Sequence, residues 1–224
     1  LGFRLGVVTT ADVEDATPAG TAIHTEKRRY GTGIVDQFLD ESSRTGLAVL
    51  MGGGRRWFLP ASTPGSGRTR DRDMQLSPAH AAAWGVPEGA FDPERDLLAD
   101  FAKAGFRYVS NATELSALPA DTTQVLGLFA YSNMNVALDK IGGRRGTSTV
   151  ATDYGLPDQP LLDEMTRSAL AVLDRAAPKG FVLLVEGASI DKQAHAMDSE
   201  RWLLETIEFD HAVGVARAYA AQHT

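Results

Sequence analysis

Glu186, Asp191 and His195 are the residues whose types and spacing say most about chemistry in this chain. Glu186 closes the apolar run Gly180-Phe-Val-Leu-Leu-Val-Glu186, and Asp191 and His195 follow five and then four residues later. Such a run reads as a buried strand with Glu186 at its carboxyl end. Gly187 then lets the backbone turn closely, and a short helix opening near Ser189 stacks Asp191 over His195. Three metal-competent side chains are thus expected to converge at one strand end. Carboxylate plus imidazole suits zinc better than magnesium, whereas Glu186, on the strand side of the turn, suits a neighbouring hard cation. Asp-x-x-x-His also recurs on many helices as a plain surface pair, so the spacing alone leaves both readings open.

A second constellation stands near the amino end, in Val7-Val-Thr-Thr-Ala-Asp-Val-Glu-Asp15-Ala-Thr17-Pro18-Ala19. Alternation in an extended segment places Asp15 and Thr17 on one side, where both can face one cation. The same letters also fit Thr17 as a helix N-cap followed by Pro18 in the first turn, which needs no metal. The segment Val185-Glu-Gly-Ala-Ser-Ile-Asp-Lys-Gln-Ala-His195 closely resembles the metal-binding segment of bacterial alkaline phosphatases, and Val7 to Ala19 is similar to the other magnesium-binding stretch of that family.

The resemblance implies a magnesium site of Asp15, Thr17 and Glu186 completed by water, and part of a zinc site from Asp191 and His195. It implies a phosphate-clamping arginine at Arg28, in His24-Thr-Glu-Lys-Arg28-Arg29-Tyr30, where a guanidinium fork matches two phosphoryl oxygens and stays charged at alkaline pH. Arg29 lies one register away, and the basic run also reads as an exposed helix face. Lys192 is the residue type some bacterial members carry near the phosphate, and it can pair with Asp15 while holding a water on the substrate; a solvated helix lysine is the alternative.

The elements that must position these groups alternate between strand and helix. Strand-like runs cover Phe3 to Thr9, Gly46 to Met51, Tyr108 to Ser110, Gln124 to Phe129 and Gly180 to Val185, with helical patterns between most of them. The expectation is an α/β fold with a mostly parallel central sheet flanked by helices, alkaline-phosphatase-like, in one domain over residues 1–224. Asp92 and Pro93 read as cap and first residue of a helix ending at Gly105. Leu162, Met165, Ala169, Val172, Leu173 and Ala176 form the apolar face of a helix stopped by Pro178. Trp202, Phe209, Val213, Ala216 and Ala220 mark a last amphipathic helix whose apolar face should be core. Residues 62–72 and 142–150, rich in Gly, Ser, Thr and Arg, read as surface loops, the first of them mobile. Neither they nor Gly52-Gly-Gly54-Arg55 match a P-loop, since no Gly-Lys-Ser/Thr follows.

Composition narrows the class. With 224 residues, 43% hydrophobic, the chain can bury a substantial core, and a net charge of −7 argues against a nucleic-acid binder. The absence of cysteine excludes disulfides and thiolate metal sites and puts any zinc on His and carboxylates. No apolar run reaches membrane-spanning length and no signal peptide opens the chain, so no membrane partner is expected. The resemblance itself implies a periplasmic or secreted enzyme and leaves a homodimer open.

The family's serine nucleophile lies upstream of the Asp15 region, and an Asp-His pair and a further histidine lie downstream of a later strand. Ser42-Ser43 and Asp198-Ser199 are no substitutes for the first, nor Asp210-His211 and His223 for the second, so the chain reads as an internal fragment of low or no activity. The function expected of the intact protein is metal-dependent hydrolysis of phosphate monoesters through a phosphoserine, with inorganic phosphate as product and Zn2+ and Mg2+ as cofactors. The rivals are an inactive metal- or phosphate-binding domain and a related phosphodiesterase or sulfatase.

Overall fold

The computed structural model describes residues 2–71, 75–141 and 158–223. Five strands, β1 (Arg4–Asp12), β2 (Leu47–Gly53), β3 (Arg107–Val109), β4 (Val125–Leu128) and β5 (Phe181–Glu186), form one sheet in the order β3-β4-β2-β1-β5. Every pairing in it is parallel. The helices are α1 (Ala16–Gly20), α2 (Gly31–Asp40), α3 (Ser42–Thr45), α4 (Pro78–Trp84), α5 (Leu97–Lys103) and α6 (Ala112–Ser116), then α7 (Ala137–Asp139), α8 (Leu162–Ala176), α9 (Ser189–His195) and α10 (Ser199–Gln222). A 3-10 turn covers Arg55–Phe58.

Parallel strands need crossover helices, which cover both faces and let the central strands be apolar without alternation. On one face Leu5, Val7, Leu50 and Leu126 pack with Ile34 and Phe38 of α2 and Phe101 of α5. On the other, Val8, Val49, Met51 and Val125 pack with Leu115 of α6 and with Leu162, Met165, Ala169, Val172 and Leu173 of α8. β1 and β2 are accordingly buried almost throughout.

Four expectations need correction. The run ending at Glu186 is as apolar as a central strand, but among the described residues β5 pairs with β1 alone and sits at the sheet edge, half-buried. Val182 is 61% exposed there and forgoes most of the roughly 1.5–3 kcal/mol that full burial of such a side chain contributes. The helix before Gly105 is capped by Asp96, whose side chain accepts from Ala99 N at 3.0 Å, not by Asp92, because residues 92–95 form a separate turn closed by Arg95 N to Asp92 O.

Residues 62–71 hold no helix or strand, yet they are not a free surface segment. The Arg68 side chain is 0% exposed and grips Asp36 of α2 with two bonds, Nη1 to Oδ1 at 2.7 Å and Nη2 to Oδ2 at 3.0 Å. It also donates to the carbonyls of Trp57, Asp92 and Pro93, so a buried ion pair pins the segment down. Residues 142–150 lie outside the described ones.

The fourth correction concerns α10. Glu205, Glu208 and Ala212 are its buried residues, while Trp202 and Val213 are 43% and 38% exposed. Glu205 accepts from Ala137 N at the start of α7, and Glu208 accepts from Leu162 N at the start of α8 and from the buried Lys140 Nζ at 2.6 Å. The helix docks by supplying acceptors to N–H groups at the starts of two other helices, which have no partner within their own helix.

Candidate active site at the carboxyl edge of the sheet

In parallel α/β sheets, ligands gather where strands give way to loops at their carboxyl ends. β1 and β5 end side by side, with Thr9 opposite Glu186 in the register. Thr9 Oγ1 donates to Glu186 Oε2 at 2.7 Å, which orients the carboxylate and gives the buried hydroxyl proton a partner, while the same oxygen accepts from Ala11 N at 2.9 Å. Beyond Glu186 the chain turns at Gly187, where a Cβ would stand 3.1 Å from the Phe209 ring of α10. The start of α9 is then tied to β1 by Ser189 N donating to Thr10 Oγ1 at 3.2 Å.

From the other strand, the chain leaves β1 at Asp12 and enters α1 with Asp15 as N-cap, its carboxylate accepting from Ala16 N at 2.8 Å. Asp15, not Thr17, is therefore the cap. Thr17 is the second residue of α1 and exposed, so a helix cap, not strand alternation, sets its relation to Asp15. α1 touches the end of β1 and β5.

Lys192 of α9 crosses to Asp15, Nζ to Oδ2 at 2.9 Å, between residues 177 positions apart. Arg28 pairs with the other oxygen of the same carboxylate through Nη2. Burial opposes the charge of Asp15, but Lys192, the Ala16 N–H and Arg28 outweigh it and hold the group below the usual carboxylate range.

Asp191 and His195 occupy successive turns of α9 with Nε2 and Oδ1 3.4 Å apart, and their side chains are 79% and 82% exposed. Among the described residues no three His, Asp or Glu side chains form a ready cage for an ion. Asp15, Thr17 and Glu186 offer oxygen only, the donor set of a hard cation, and the carboxylate facing imidazole on α9 is a pair that zinc takes. By donor chemistry both sets fit the ions that the resemblance implies.

The structure adds residues that sequence reading passed over. Asp12, the last residue of β1, is buried and bonded to Arg56 and Trp57; burial pushes its pKa up to about 6 against the pull of Arg56. Glu14 is pushed up to about 7 by burial and by the charge of Asp12. One signal was present: acidic residues directly after the apolar run Val7 to Ala11 belong at the carboxyl edge of the sheet. Arg56, in a Gly-rich turn after β2, gave no such sign.

The sequence model of the family described as Alkaline phosphatase matches residues 1–224. Alkaline phosphatase H of Pseudomonas aeruginosa (strain UCBPP-PA14) is 32% identical over 98% of this chain and 46% of its own length. Streptomycin-6-phosphate phosphatase of Streptomyces griseus is 33% identical over 99% of this chain and 49% of its own. The crystal structure of Thermus thermophilus alkaline phosphatase superposes with a TM-score of 0.73 at 28% identity, covering 99% of this chain and 37% of that one. The chain thus spans less than half the length of these relatives.

Proposed function

The chain belongs to the alkaline phosphatase family, and from that premise we propose that it carries part of the active site of a metal-dependent phosphomonoesterase. The observation that carries the reading is the Asp15 carboxylate held between Lys192 and Arg28, which gathers three charged groups from distant segments at the carboxyl edge of the sheet.

Arg28 is the clamp for the transferring phosphoryl group: its guanidinium fork matches two equatorial oxygens and keeps its charge where an ammonium begins to titrate. Its side chain is 72% exposed and bonded to Asp15, so it can turn to an arriving anion without leaving the site. Lys192 neutralises Asp15 and holds a water toward the substrate. Asp15, Thr17 and Glu186 would hold magnesium, and Asp191 with His195 would hold part of a zinc site. Bound there, the ions supply Lewis acidity to the phosphoryl oxygens and charge for the attacking and leaving groups. Thr9 fixes the direction of Glu186, and the N-cap bond fixes that of Asp15.

For the intact enzyme, transfer to a serine followed by hydrolysis of the phosphoserine is the course the family resemblance implies. The same resemblance favours a periplasmic or secreted location, and no helix among the described residues is long and apolar enough to cross a membrane. We also read residues 1–224 as one α/β domain, since all five strands join one sheet.

The test is phosphate release from p-nitrophenyl phosphate and from bis(p-nitrophenyl) phosphate by the protein that carries this chain, with zinc and magnesium present. Preference for the monoester is expected, and Arg28→Ala should raise KM for it by about tenfold or more, the loss of a charge-assisted bond of roughly 1.5–3 kcal/mol. Diester or sulfate-ester preference, or an Arg28→Ala variant with unchanged KM, overturns the reading.

A further inference from the structure

Asp12 stands where the ends of three strands meet. Trp57 Nε1 donates to its Oδ2 at 3.1 Å, and Arg56 Nη2 reaches the same oxygen at 3.1 Å. Both donors follow β2. The Arg56 guanidinium lies over the Trp57 ring at 4.9 Å, which fixes the two side chains against each other. Asn133, beyond β4, accepts from Asp12 N at 3.0 Å, and the turn at Gly54 and Arg56 is itself bonded to the carbonyls of Ser132 and Tyr131. Gly54 has φ +93°, and a Cβ there would stand 2.0 Å from Asp12 Oδ1, so the backbone after β2 presses directly on this carboxylate.

What Asp12 does with its remaining acceptors is more telling. Oδ1 accepts from Glu14 N at 3.3 Å, and the backbone carbonyl accepts from Asp15 N at 2.9 Å. Two of the three peptide groups between Asp12 and Asp15 are thereby bonded to Asp12. The direction in which the chain leaves β1 follows from where Asp12 is held, and Asp15 is the residue that direction delivers.

We propose that Asp12, clamped by Arg56 and Trp57, is a positioning residue that sets the placement of the Asp15 carboxylate for a divalent cation. The inference rests on the reading of Asp15 as a cation ligand. Arg56 and Trp57 act through Asp12, as partners behind a ligand commonly do, and loss of such partners typically weakens metal binding by about 10- to 100-fold.

The experiment is Mg2+ binding to the whole protein by titration calorimetry, at a temperature well below unfolding, for the unmodified chain and for Asp12→Asn, Trp57→Phe, Arg56→Lys and Asp15→Asn. Asp12→Asn turns an acceptor of two donors into a group with an N–H facing them, and about tenfold weaker Mg2+ binding is expected. Trp57→Phe keeps the ring and removes only the N–H, so it tests the clamp if Asp12→Asn fails to fold; a loss of roughly two- to fivefold is expected. Arg56→Lys, which keeps the charge but not the fork, should retain part of the affinity. If Asp15→Asn weakens Mg2+ binding while folded Asp12→Asn and Trp57→Phe leave it unchanged, the inference falls and the site reading stands. If Asp15→Asn has no effect, or the unmodified chain binds no Mg2+, the site reading itself falls and takes the inference with it.

Discussion

Asp15 caps α1 through Ala16 N and accepts from Lys192 and Arg28 with the same carboxylate, so its charge state decides three contacts at once. With Lys192→Ala it loses the partner that most lowers its pKa, while burial, which opposes its charge, remains. Its titration should move upward, read from the carboxyl carbon by NMR. The effect on stability has a definite sign. A carboxylate held low in the folded protein contributes stability above its unfolded pKa and loses it as pH falls through the folded value. Lys192→Ala should therefore lower stability near pH 7 and leave it unchanged in strong acid, and added salt should narrow the difference. An Asp15 titration identical in both proteins would mean that the pair contributes nothing in solution.

At the scale of the element, Arg68 joins a segment without regular structure to α2 and to the turn at Asp92. Burial pushes the Asp36 pKa up to about 6 even with Arg68 in place, and a charge left unpaired in so buried a position is costly. Arg68→Ala should destabilise the protein by about 3–5 kcal/mol in urea denaturation. The double replacement Arg68→Met with Asp36→Leu should recover most of that loss, because it removes both buried charges. A cost under about 1 kcal/mol for Arg68→Ala is what exposed pairs give and would place the side chain in solvent. Sequence reading assigned this segment to the surface from its Ser, Gly and Arg content, and composition carries no information about an aspartate 32 positions away.

At the scale of the whole molecule, the docking of α10 is expected to respond to pH through Glu205, which accepts from Ala137 N. Burial and the charge of Glu208 push the Glu205 pKa up to about 7, against the Ala137 N–H and Lys140; Asp139 is a further carboxylate nearby. A carboxyl raised in the folded state holds a proton that the unfolded chain releases from about the ordinary glutamate value of 4.5. Stability from this group is present below that value and declines as pH rises toward 7. Glu205→Gln keeps an acceptor for Ala137 N and has no charge to desolvate. It should match the unmodified protein near pH 4 and exceed it at pH 8 by on the order of 1–3 kcal/mol, measured as a difference in unfolding free energy. A variant less stable than its parent at pH 8 would show that the ionised carboxylate is favourably held.

The amino-acid sequence alone determined the element types and the local geometry of the chemistry. The five apolar runs became the five strands, and Asp-x-x-x-His put its two side chains on one helix face, because strand and helix periods act over a few residues. Only the tertiary structure decided that β5 lies at the edge, that Arg68 is buried, that α10 turns Glu205 and Glu208 inward, and that Asp12 governs the exit from β1. Each depends on a partner far away in the chain: hydrophobic pattern says which face avoids water, whereas a buried charge is stable only where distant donors or acceptors arrive to meet it.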